Sequence, residues 1–270
     1  MINVLKAELF RLKKSKTYWI IHIVNVGLIF LSALLLIGVE SFIKSVGSSL
    51  FDKIDSYYTT TMLAEFATFA SDSSILAVIC SAIFLSREFT QGTMRNAILA
   101  NKSRKELFFA YYIIALLIGV SYLLVAFVLQ LALYGAMLGF GTESAASAAT
   151  NIFTYFALGL CSVLFAQTCV TMFLFVTRRQ SLTIILPLLI CMLAPAIITS
   201  IIELILTANA ITGSATPSTT LQCIPIYNMT TLNPNNPSGL NVGMIALYDV
   251  VMAAGLFAAG FFPFQKADLK

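Results

Sequence analysis

An all-α polytopic membrane protein with six transmembrane helices is the fold class this sequence predicts, on three observations. The 270 residues are 59% hydrophobic and only 10% charged, with a mean hydropathy of +0.91; a soluble domain of this size carries about 25% charged residues. Six apolar runs recur along the chain, most of them near the ~20 residues that cross a bilayer. The basic residues are also sorted. Of the 16 Lys and Arg, all but Lys44 and Lys53 lie in the N-terminal segment, in 86–107, at Arg178-Arg179 or in the C-terminal tail. Basic loops mark the cytoplasmic face, so both termini are expected there, with 1–270 forming one membrane domain. The net charge of +4 therefore reflects orientation, and nucleic acid is not an expected partner.

In order, residues 1–16 predict an amphipathic interfacial helix. Ile2, Leu5, Leu9 and Leu12 share a stripe, flanked by Lys6 and Lys13 whose heads reach water. No small-residue cleavage site follows, so this is not a signal peptide. The first span, 18–39, opens on the interface anchors Tyr18 and Trp19 and holds His22, the one His of the chain. A single His near a span end is expected to bond a neighbour rather than catalyse. Residues 40–65 form a mixed outer loop. The second span is 66–85, and the third, 107–138, is long enough to tilt or project. A small-residue turn precedes the fourth span at 152–176. Arg178-Arg179 makes a short return into the fifth span, 182–206. Pro187 and Pro195 each remove a backbone hydrogen bond there, which predicts bending. Residues 207–241 are an outer polar segment rich in Pro, Thr and Asn, either partly re-entrant or irregular. The sixth span is 242–262.

Chemistry is sparse. The sequence contains no GxxxxGK[ST], HExxH or GxSxG, and one His cannot supply a two-His metal site. Four of the five Cys (Cys80, Cys161, Cys169, Cys191) fall in apolar runs and Cys223 stands alone, so no disulfide framework or zinc site is expected. No catalytic, cofactor-binding or metal residue is predicted. What remains is acid within spans: Asp72, Glu203 and Asp249 map to the outer parts of spans two, five and six. A carboxylate at mid-membrane costs about 2.5–3.5 kcal/mol on insertion scales. These three either line a wet, acidic path suited to a cationic substrate, or sit at helix ends and bond neighbouring helices.

The stretch 86–107, SREFTQGTMRNAILANKSRKEL, sets Arg87, Arg95, Lys102, Arg104 and Lys105 against Glu88 and Glu106 between two spans. Residues 93–100 have the composition of a short helix, with Gly92 before it and Asn101 after. Ser103 and Glu106 fit the Ser-x-x-Glu capping box ahead of the next span. The expected order is span, turn, surface helix, turn, capped span. Such a helix is either a grip for a second protein that moves the spans, or a basic loop that only sets orientation.

This segment resembles the cytoplasmic segment of type-2 ABC transporter permeases, in which an Arg-Glu, a Gly-Thr and a later Ser-Arg recur between the second and third spans; here they stand at Arg87-Glu88, Gly92-Thr93 and Ser103-Arg104. The layout of the whole chain is similar too, and its length and small loops look like bacterial permeases that export or confer immunity to antimicrobial peptides of the lantibiotic or bacitracin type. The resemblance implies half of a type V exporter in the bacterial plasma membrane. It implies a second permease copy or related permease as partner, and separate ATP-binding cassette subunits that carry ATP and Mg. The N-terminal helix becomes a connecting helix, and Gly92 to Ala100 the coupling helix seated in the ATPase. By the motif, Glu88, Gly92, Thr93 and Arg95 carry the coupling, with Phe89, Met94 and Asn96 as neighbours. Spans two and five are implied to line the path. Two rival readings stay open: a non-transporting scaffold or sensor whose basic loop binds anionic membrane lipid, and a secondary transporter, which calls for inverted repeats and midplane charge.

Overall fold

The computed structural model describes residues 2–46, 69–94, 103–138, 145–193, 197, 201 and 242–266. All regular structure among the described residues is helical. α1 is Ile2–Lys14 and α2 is Lys16–Val46. α3 is Phe69–Thr90, α4 is Arg104–Leu138 and α5 is Ala145–Thr177. α6, Gln180–Leu188, runs directly into a π-helical turn at Leu189–Leu193, and α7 is Val242–Lys266. Among the described residues, four segments are long and apolar enough to cross a membrane: Lys16–Leu35, Arg104–Ala136, Ala149–Thr177 and Val242–Lys266. They coincide with the first, third, fourth and sixth expected spans. Most of the fifth lies outside the described residues, as do 47–68, 95–102, 139–144 and 202–241.

The differences from expectation have local causes. α3 does not stop at 85 but continues to Thr90, because Ser86 and Glu88 on its inner face remain buried and Glu88 finds partners there. The expected capped start of α4 is present: the Glu106 backbone N–H donates to Ser103 Oγ at 3.2 Å, and the Leu107 N–H donates to the Ser103 carbonyl at 3.1 Å. The short return at Arg178-Arg179 turns through Arg178 at φ 54°, a conformation that costs a non-glycine residue roughly 1 kcal/mol. Pro187 lies inside α6, buried, and the π-helical turn begins two residues later. α7 passes through Pro263 to Lys266, beyond the expected end of span six. The N-terminal segment is helical, but its inward face is Val4, Leu5, Glu8 and Leu12, packed toward α4, while Ile2 and Leu9 of the expected stripe are exposed. Polar pairing at Glu8 rotates the helix away from its purely apolar stripe.

Side-chain contacts fix the helix directions. α2 runs parallel to α4: Tyr18 Oη donates to Ser121 Oγ at 3.0 Å, and Ser32 and Tyr134 hydroxyls meet at 3.0 Å further along. α5 is antiparallel to α4, pairing Phe108 with Phe175 and Phe127 with Phe156. α7 is parallel to α5, and Arg104 at the start of α4 donates to the Gln265 carbonyl at the end of α7 at 3.0 Å. The starts of α2 and α4 and the ends of α5 and α7 therefore share one end of the bundle, where the basic residues collect. Small residues allow the closest approaches, as in other membrane bundles. A Cβ at Gly119 of α4 would lie 2.6 Å from Val163 Cγ1 of α5, and one at Gly260 of α7 would lie 3.0 Å from Met172 Cα of α5. The core at the basic end is aromatic: Phe108 packs on Phe175, Phe257, Phe261 and Phe264 at ring distances of 4.6–6.2 Å.

Candidate functional site

The last turns of α3 carry the described part of the expected coupling segment. Their alternation of exposure is helical: Arg87 and Thr90 face out, while Glu88, 2% exposed, faces in. The helix ends at Gln91-Gly92, and Gly92 takes φ 70°, the left-handed conformation in which glycine carries no Cβ penalty. That reversal returns Thr93 to the end of α3. Thr93 Oγ1 lies 3.2 Å from the Glu88 carbonyl oxygen and donates to the Glu88 carboxylate. Met94 then turns inward and is buried beside Leu12, Phe84, Leu107 and Phe175.

Three further elements meet the Glu88 carboxylate. Tyr111 Oη of α4 donates to its Oε2 at 3.1 Å. Arg11 of α1 forms an ion pair with its Oε1. The same guanidinium pairs with Glu8 Oε2 at 2.9 Å and lies 4.5 Å over the Phe84 ring. Arg11 thus stands between two carboxylates, one on its own helix and one on α3. Burial pushes the Glu8 carboxyl above its ordinary 4.5, opposed by the Arg11 charge. The result is a buried polar knot tying α1, α3, α4 and the Gly92 turn together.

The knot has outriggers. Arg87 Nη2 donates to Thr17 Oγ1 at 2.9 Å, joining α3 to the start of α2. Phe89, half-buried, meets Phe175 of α5 edge-on at 5.8 Å. A displacement of the turn therefore bears on α1, α2, α4 and α5.

The structure brings together five expected site residues: Glu88, Phe89, Gly92, Thr93 and Met94. Arg95 and Asn96 lie outside the described residues, and so do Glu203 and Pro195. Asp72 falls in the first turn of α3. Asp249 is elsewhere in the bundle, about 22 Å of helix rise from Phe264. It is buried between α7 and α5, accepting from Ser162 Oγ at 3.2 Å on Oδ2, while Oδ1 has no partner among the described residues. His22 bonds a neighbour, as expected: Nε2 meets Ser121 Oγ at 3.3 Å, and its ring stacks on Tyr122 at 3.8 Å. Sequence reasoning missed Glu8, Arg11 and Tyr111. Only Glu8 carried a signal, as the one acid before Glu40, set three residues ahead of an Arg.

Residues 4–194 match a family model described as ABC-2 family transporter protein. The matched range runs from α1 through the π-helical turn and contains every residue of the knot. No curated protein matches the chain.

Proposed function

This chain belongs to the ABC-2 family of transporter proteins, and from that premise we propose that it is the six-span permease subunit of an ATP-driven exporter. The family makes it a membrane transporter component, a transmembrane rather than a catalytic subunit, and such permeases usually work with an ATP-binding subunit. In our reading the protein sits in a bacterial plasma membrane with both termini in the cytoplasm. Residues 93–100 are the coupling helix, and Arg95 and Asn96 meet the ATPase, which holds ATP and Mg. A second permease copy or a related permease completes the path. Asp72, Glu203 and Asp249 face that path, and Pro187 and Pro195 let the fifth span bend. The cargo is a peptide or another amphipathic, hydrophobic compound.

The observation that carries this reading is the wiring of Glu88. A push on the turn at Gly92 is borne by Thr93 and Met94, of which the first holds the Glu88 carboxylate and the second is embedded in the core. From Glu88 the load passes to Arg11 and Tyr111, and so to α1 and α4. A transition needs contacts that differ between two states. Arg11 supplies them, because Glu8 keeps it paired if Glu88 moves away.

The test begins with purification from the native membrane in mild detergent and identification of the proteins that accompany the chain. A stoichiometric ATP-binding cassette protein is expected; its absence moves the scaffold and secondary-transporter readings ahead. In the reconstituted complex, replacing Gly92-Thr93-Met94-Arg95 should abolish substrate-stimulated ATP hydrolysis while the permease still inserts. Unchanged stimulation would remove the lever.

A further inference from the structure

Between α2 and α4, a groove of about 370 Å³ runs from Tyr18 and Trp19 to Val26 and Val125. Its lip is open: Trp19 is 53% and Ile23 69% exposed. Its inner polar groups bond one another. Tyr18 Oη donates to Ser121 Oγ at 3.0 Å, His22 Nε2 meets the same oxygen at 3.3 Å, and Ser121 donates to the Ile118 carbonyl at 2.7 Å. The floor therefore needs no polar occupant, and Ile23, Val26 and Val125 offer only apolar contact.

Charge stands at the entrance. Lys16, Trp19, Ile23 and Val26 recur at helical spacing and form one stripe of α2. Trp19 Nε1 donates to the Lys13 carbonyl at 2.9 Å, which sets Lys13 beside the same entrance. Both lysines are exposed, and neither has an ion pair among the described residues. Charge sorting along the sequence puts four acids at this end: Glu8, Glu88, Glu106 and Asp268. Arg11 holds Glu8 and Glu88, Glu106 opens α4, and Asp268 follows α7, which packs chiefly on α5.

We propose that this groove seats one anionic phospholipid, its acyl chain along Ile23, Val26 and Val125 and its phosphate on the Lys13 and Lys16 ammoniums. Lysine is suited to that contact, as a point charge on a flexible apolar stem. Trp19 is an anchor of the kind that sits at head-group level. At roughly 30 Å³ for each methylene-sized group, the space takes about a dozen carbons of one chain. A helix about 10 Å across needs roughly twice that volume over the rise from Trp19 to Val26, so a second protein fits poorly. A zwitterionic head carries its own ammonium, which the lysines repel.

Trp19 is the one Trp of the chain, so its fluorescence reads the groove. The full chain is reconstituted in phosphatidylcholine vesicles with rising fractions of brominated phosphatidylglycerol or, separately, brominated phosphatidylcholine. Quenching should show phosphatidylglycerol favoured about tenfold, the scale of two lysines near a membrane surface, and Lys13→Gln with Lys16→Gln should bring the two lipids within about twofold. Lys6→Gln with Lys105→Gln removes equal charge from exposed positions outside the groove and should leave the preference intact. Val125→Phe, which fills the groove, should lose most of it. Equal quenching by both lipids in the natural chain, or a preference erased as fully by the Lys6 and Lys105 changes, would show bulk surface electrostatics and overturn the site. A preference untouched by Val125→Phe would show attraction of the head with no seated chain, and would also overturn it.

Discussion

At the residue scale, Arg11 is the member of the knot whose loss costs most. Glu88→Gln keeps an acceptor for Thr93 and Tyr111 and leaves Arg11 paired with Glu8. Arg11→Met leaves Glu8 and Glu88 facing each other with no cation between them. Breaking a fully buried pair costs about 3–5 kcal/mol, and Arg11, 35% exposed, falls below that range. We expect about 2–3 kcal/mol for Arg11→Met against about 1 kcal/mol for Glu88→Gln, read as melting temperature in detergent. Adding Glu8→Gln to Arg11→Met should recover part of the loss; no recovery would mean that the two acids do not repel. Glu8 itself gives a pH signature. Its carboxyl is raised above 4.5 in the fold, so the folded protein holds that proton more tightly than the unfolded chain. The associated stability is complete below the unfolded value and is lost as pH rises through the folded one. Glu8→Gln cannot ionise, so its advantage over the natural protein should grow as pH rises from 4.5 toward 7. An advantage that shrinks over that window would mean that the Arg11 pair outweighs burial at Glu8.

At the element scale, packing between α4 and α5 rests on Gly119. A methyl group there meets Val163 Cγ1 at 2.6 Å and Gln167 Cγ at 2.8 Å. Val163 is β-branched and stiff at χ1, so it gives way poorly. Overpacking of this kind costs about 1–3 kcal/mol. Gly119→Ala should therefore lower the melting temperature, and Val163→Ala in the same chain should restore most of it; additive losses would place the strain elsewhere. This contact also shows what was legible in the sequence. Four of the six expected spans were, because twenty-residue apolar runs and the Ser103 cap are local signals. Glu88, Gly92 and Thr93 were singled out by a local motif. The knot was not, since Glu8 and Arg11 reach Glu88 across more than seventy residues of chain and no local pattern encodes that pairing. Nor did apolar periodicity reveal which face of α1 turns inward, because a charged pair sets it. The end of α3 was misplaced for the same reason: a Glu reads as loop until its buried partners are known.

At the scale of the whole molecule, helix directions and charge sorting are independent arguments that agree. Contacts place the starts of α2 and α4 and the ends of α5 and α7 at one end. The same end carries Lys13, Lys14, Arg87, Arg104, Arg178, Arg179 and Lys266. Each argument alone leaves something open: contacts give parity without naming the cytoplasmic side, and charge names the side without giving parity. Together they lead us to propose that Arg179 and Gly92 face the compartment that holds ATP, and the charge count in the sequence puts Lys53 on the other side. In a chain with its five Cys replaced, Lys53→Cys should react with a membrane-impermeant maleimide on intact cells. Arg179→Cys should react only after permeabilisation. If Arg179→Cys were labelled from outside, the knot beside Gly92 would lie on the face without nucleotide. No ATPase could then drive it, and Arg11 between its two carboxylates would be a structural clasp rather than the point where work enters the bundle. Labelling of both sites as expected leaves the clasp where a cytoplasmic motor can pull on it, and the ranking of Arg11→Met over Glu88→Gln in stimulated ATP hydrolysis then reports how much of that pull it transmits.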